Sequence, residues 1–124
     1  MIITLPLPAH KLSPNARPHH MELYRLKKKA KEDAQVQTMV AIQEEGIADQ
    51  LPWEKATTRA TFYFLVKRRR DGDNLNSMLK AHRDGIAAAG VVRDDEDFQN
   101  LPPIIEIAKD HPRVEIHITK GHLI

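Results

Sequence analysis

Thr57-Thr58-Arg59-Ala60-Thr61-Phe62-Tyr63-Phe64-Leu65-Val66-Lys67 decides the fold class, and Arg68-Arg69-Arg70-Asp71-Gly72-Asp73-Asn74 follows it directly. Threonine, aromatic and β-branched residues fit a pleated strand better than a helix. Ala60, Phe62, Phe64 and Val66 share one face, and Thr61, Tyr63 and Leu65 share the other. Both faces are largely apolar, so residues 57–67 are expected to form a central strand.

Outward from this strand, the rest of the chain supplies its cover. Residues 2–7 read as a first strand stopped by Pro6 and Pro8, and residues 11–20 (KLSPNARPHH) as a loop punctuated by Pro14, Asn15 and Pro18. Residues 21–45 contain neither proline nor glycine. Leu23, Leu26, Ala30 and Ala34 recur there at helical spacing, and Gly46 is placed to end the helix. A second helix is expected over 74–89, with Asp73 as N-cap and Gly90 as terminator. Residues 104–108 and 113–118 alternate as strands, joined through 109–112 as a hairpin. The expected architecture is a single α+β domain over residues 1–124, in the order β-α-β-α-β-β, a mixed sheet with two main helices packed on it.

Composition narrows the chemistry. The 124 residues are 41% hydrophobic and 29% charged, too apolar for a disordered tail, and long enough for one core without staples. Cysteine is absent, which excludes disulfides, iron–sulfur clusters and thiol catalysis. No apolar run approaches the roughly 20 residues of a membrane helix. The first residues lack the positive leader of a signal peptide. A cytoplasmic protein with no membrane association is the expectation. The net charge of +2 is unevenly spread: residues 1–31 carry seven Lys/Arg against one acid, whereas residues 71–100 carry seven acids against three bases. A basic surface that grips a polyanion beside an acidic pocket that holds a cation would divide the charge this way.

The acids recur with purpose. Asp71 and Asp73 stand where the central strand turns into a helix, and Asp94-Asp95-Glu96-Asp97 follows the second helix. On one continuous helix Ser77, Lys80 and Asp84 would share the face of Asp73. Two carboxylates about 4 Å apart repel by roughly 4 kcal/mol at an effective dielectric near 20, so converging acids call for a cation. Oxygen-only donors select Mg²⁺ or Mn²⁺, and such an ion can activate water for phosphoryl transfer. Asp71-Gly72-Asp73 is not an EF-hand, because Leu75, Asn76 and His82 occupy its fifth, sixth and twelfth positions. HExxH, P-loop and GxGxxG motifs are missing.

With these residues in place, the sequence resembles the RusA-type Holliday junction resolvases (crossover junction endodeoxyribonucleases), particularly the short phage and prophage forms. The likeness covers most of the chain. It runs from Ile3-Thr4-Leu5-Pro6-Leu7-Pro8 and Leu12-Ser13-Pro14-Asn15-Ala16-Arg17 through Asp71-Gly72-Asp73-Asn74-Leu75, Leu79-Lys80-Ala81 and Asp84-Gly85. It continues through Ala89-Gly90-Val91 and Asp94-Asp95 to a terminal hairpin around Arg113-Val114-Glu115-Ile116. The resemblance implies an intertwined homodimer that requires Mg²⁺, binds four-way DNA junctions and cuts two opposing strands symmetrically. Its catalytic acids fall on Asp71, Asp73 and Asp95, with Asp94 as a further metal ligand, and its lysine falls on Lys80. In some members that lysine follows the second acid by four residues; here the gap is seven.

Arg17, Lys27, Lys28, Lys31, Lys67, Arg68, Arg69 and Arg70 are the candidate DNA-binding residues, read from the basic runs. Two functions compete with junction cleavage: a non-catalytic branched-DNA-binding module in which the acids merely cap and solvate turns, and a carboxylate-rich nucleotide hydrolase.

Overall fold

A computed structural model describes residues 1–123. Eight regular elements follow in order: strand β1 (Ile2–Leu5), helix α1 (His20–Glu45), strand β2 (Ala56–Phe64), helices α2 (Gly72–Ser77) and α3 (Lys80–Ala88), and strands β3 (Phe98–Asn100), β4 (Ile104–Ile107) and β5 (Arg113–Lys120). The class is α+β with a mixed five-stranded sheet and two main helices, α1 and α3.

β2 is central, as its two-sided apolar pattern predicts. One of its edges takes β5 antiparallel, and β1 pairs beyond β5. The other edge takes two short parallel strands end to end, β3 against residues 56–58 and β4 against residues 61–64. Pro102 and Pro103 separate them, because proline cannot donate to the ladder. The hairpin expected between residues 104–108 and 113–118 is therefore corrected. β4 and β5 lie on opposite edges of β2, where β4 pairs with β2 alone and β5 is held between β2 and β1.

The second helix also differs from expectation. Residues 74–89 are broken at Met78–Leu79 into α2 and α3, and Leu79 drops fully into the core at the break. The N-cap is Asp71, not Asp73: the Asp71 carboxylate accepts hydrogen bonds from the Asp73 and Asn74 amides at 2.9 and 3.4 Å. Gly90, at φ +103°, stops α3 as expected. At the end of α1, Gly46 (φ +64°) returns its amide to Gln43.

α1 and α3 cover one sheet face, and α1 also packs on β1. The α1 side of this contact is small: Ala30, Ala34, Thr38 and Ala41 are buried. α3 answers with Gly85. A Cβ there would lie 2.2 Å from the Lys31 carbonyl oxygen and 3.1 Å from the Gln35 amide nitrogen, so the two helix backbones touch. Beneath them Ile3, Leu5, Phe62, Ile86, Val114, Ile116 and Ile118 form the core, joined by Val91, Val92 and Trp53. β4 lies beyond the helices: Ile104, Ile105 and Ile107 remain 39–43% exposed despite their alternating pattern.

Candidate nucleic-acid interface

β2 ends at Phe64, and residues 65–70 lead irregularly to α2. Lys67, Arg68 and Arg69 are exposed there. Arg70 instead lies over the Phe64 ring, 3.5 Å from its centroid, and donates to the Val66 carbonyl. That contact covers an apolar sheet end and partly dries the guanidinium. Arg17, in the loop before α1, is exposed and donates to the Pro14 and Ala16 carbonyls.

Lys80 opens α3, and its ammonium is the hub of the acidic region. It bonds Asp84, one turn ahead, at 2.7 Å, and Asp95, across the chain, at 2.6 Å. Asp95 arrives there because Val91 and Val92 are buried and Trp53 donates its amide to the Val91 carbonyl at 2.8 Å. Asp94 then caps the 3-10 turn Asp95–Asp97 by accepting the Glu96 amide at 2.9 Å. Bonds to Asp84 and then Asp95 hold the Lys80 ammonium above its usual range. The Lys80 contact in turn holds Asp95 below the usual carboxylate range, with Asp94 and Asp84 adding to the effect. Lys80 thus stays a cation throughout the neutral range, able to donate and to attract anions but not to accept a proton.

A groove of about 470 Å³ adjoins this hub. Lys27, Lys28 and Lys31 of α1 line one wall, with Tyr24 among them, and Lys80 and Asp84 of α3 line the other. Lys27, Lys28 and Lys31 are exposed, and among the described residues none of the three forms an ion pair. Counted from Tyr24 they take positions i+3, i+4 and i+7, so what reads in sequence as a charge run is one wall of a concave basic surface.

The expected carboxylates do not all meet. Asp84 and Asp95 hold Lys80, with Asp94 beside Asp95, while Asp71 and Asp73 stand at the start of α2 with Asp71 committed to capping. Among the described residues, no hydrogen bond or ion pair joins either group to the other, and no three His, Asp or Glu side chains are arranged to hold a metal ion together. The donor chemistry suits a hard cation, but among the described residues the chain does not assemble Asp71, Asp73 and Asp95 into one ligand set.

Sequence reading missed Arg83. It is 6% exposed, and its guanidinium donates to the Asn76 carbonyl at 2.8 Å and to Asn76 Oδ1 at 2.7 Å. The available signal was its position: Leu79, His82, Arg83 and Ile86 form the i, i+3, i+4, i+7 stripe of α3, where a charged residue is out of place.

Comparison with known proteins places the chain. No protein-family model matches it. An uncharacterized protein of Xylella fastidiosa strain Temecula1 is 35% identical over 119 residues, spanning 94% of this chain and 74% of the relative. The chain belongs to the same family as that protein.

Proposed function

We propose that this protein binds branched DNA and acts on it as a structure-selective endodeoxyribonuclease of the RusA type, a homodimer that resolves four-way junctions with Mg²⁺ or Mn²⁺. The observation that carries the reading is the groove where Lys27, Lys28 and Lys31, without ion pairs among the described residues, open onto the Lys80–Asp84–Asp95 cluster. Such a wall attracts a phosphodiester backbone, and the permanent Lys80 charge lies where a phosphoryl group would arrive. Lys67, Arg68 and Arg69, and Arg17 on its loop, extend the positive surface.

The chain's own contribution is electrostatic. The lysines position the backbone, Lys80 stabilises added negative charge or protonates a leaving oxygen, and Asp84 and Asp95 keep Lys80 charged and oriented. A divalent ion would supply activated water. Asp95 would be available to such an ion only in place of its bond to Lys80.

The second reading, junction binding without cleavage, is favoured by two observations. Asp71 is spent on capping, and the described residues hold no three-carboxylate group. One experiment separates the readings. A labelled synthetic four-way junction is incubated in Mg²⁺ with wild type, Asp73→Asn and Asp95→Asn. Paired symmetric nicks by wild type alone support the nuclease. Tight binding that ignores EDTA, with no nicking at any Mg²⁺ or Mn²⁺ concentration, leaves the binding module.

A further inference from the structure

On the far side of Lys80 from the α1 lysines is a second depression, lined by Asn76, Ser77, Lys80, Arg83 and Asn100. Its floor holds an electrostatic anomaly. Arg83 is buried, yet among the described residues no carboxylate pairs with it, and its Nε is buried with no hydrogen-bond partner. Arg113, by contrast, pairs with Glu115 at 3.0 Å. Among the described residues Arg83 has only the neutral oxygens of Asn76, and burial pushes its pKa down to about 10. A buried cation without a counter-charge is costly to the fold, unless an anion completes it.

The surroundings favour such an anion. Asn76 is locked on both sides, taking Arg83 on its oxygens and donating Nδ2 to the Leu101 carbonyl at 3.1 Å, so the guanidinium is held in one orientation. Asn100 Oδ1 accepts the Thr58 hydroxyl at 2.7 Å. Its amide nitrogen has no partner among the described residues. Arg83, Asn100 and Lys80 therefore supply donors around one small concavity, the arrangement that recognises a tetrahedral oxyanion.

We propose that this depression is a phosphate subsite, and that Arg83 and Asn100 hold a backbone phosphate of the bound nucleic acid on the opposite side of Lys80 from the α1 lysine groove. The choice of a polymer over a free anion follows from continuity. Lys80 lines both concavities, so a strand crossing it would place phosphates in each. The inference rests on the nucleic-acid reading above.

Arg83→Gln risks the fold, so the decisive variant is Asn100→Asp. It keeps the acceptor for Thr58 and puts a carboxylate on the depression that Arg83 lines, supplying a counter-charge from within. Anisotropy of a fluorescein-labelled four-way junction in EDTA, titrated with NaCl, gives the salt slope. Thermal melting in inorganic phosphate, against NaCl of equal ionic strength, reads the site without DNA. The expected result has three parts: phosphate raises the wild-type melting temperature but not that of Asn100→Asp; the variant binds the junction several-fold more weakly; and its salt slope falls by about 0.9, one phosphate contact. Junction binding with an unchanged slope in Asn100→Asp overturns the inference and leaves the nucleic-acid reading standing. A phosphate-specific thermal shift in a wild type that binds no junction overturns both, and makes the site one for a free phosphate.

Discussion

At Lys80 one ammonium serves two carboxylates, and the pH dependence follows from the direction of each shift. Asp95 is held below its usual value, so its contribution to stability is present above the ordinary carboxylate range and lost as pH falls through the lowered value. Lys80 is held above its usual value, so its contribution is present below about 10.4 and lost only as pH rises past the raised one. Both side chains are solvent-accessible, and Lys80→Ala is expected to cost no more than about 1 kcal/mol in urea denaturation. Its larger effect is on Asp95, whose carboxyl, without the Lys80 bond that lowers it most, should titrate higher by NMR. His82 is the opposite case. At 4% exposure, with Nδ1 unpartnered, it is pushed down to about 4 by burial and then by Arg83, while Asp33 acts weakly the other way. The unfolded chain takes up this proton near pH 6.5 and the folded chain near 4, so stability drops as pH falls across that interval. The loss is on the order of 3 kcal/mol, and His82→Gln is expected to flatten the melting temperature between pH 6.5 and 4.

Among the elements, the α1–α3 contact is the most sensitive to a single atom. Gly85→Ala drives a methyl group into the Lys31 carbonyl, which can move only with α1 itself. A destabilisation of about 2–3 kcal/mol is expected in chemical denaturation. Because α1 and α3 form the two walls of the lysine groove, junction affinity should fall with it; retention of both wild-type stability and affinity would contradict the close packing. Helix α1 was legible from residues 21–45 because an uninterrupted run of helix formers ends at a glycine that adopts a positive φ. The break between α2 and α3 was not legible. Asn74 to Ala89 reads as one helix by propensity, and only the core site waiting for Leu79 decides where it parts. The same limit applied to β4 and β5, whose alternation identifies strands but not partners.

For the molecule as a whole, two consequences bear on the proposed function. Replacing Lys27, Lys28 and Lys31 together by alanine should weaken junction binding strongly. It should also reduce the dependence of log Kd on log salt by about 2–3, if all three lysines contact phosphates. Unchanged slope would remove the groove from the interface. The proposed homodimer would use β4, an edge strand on which Ile105 and Ile107 are exposed on one face and Ile104 on the other. Light scattering is expected to give twice the 14.2 kDa chain mass, and Ile105→Asp to return it to one.

The sequence by itself determined the α+β class, the central strand, the long first helix, the glycine stops and the basic and acidic territories, because each is written in local periodicity, propensity or charge. The tertiary structure alone decided that β2 separates β4 from β5, that Asp71 caps α2, that Asp95 meets Lys80 rather than Asp71 and Asp73, and that Arg83 lies buried with no counter-charge among the described residues. These depend on which distant surfaces come together, and burial sets that by the shape of the shared core, a property no single segment carries.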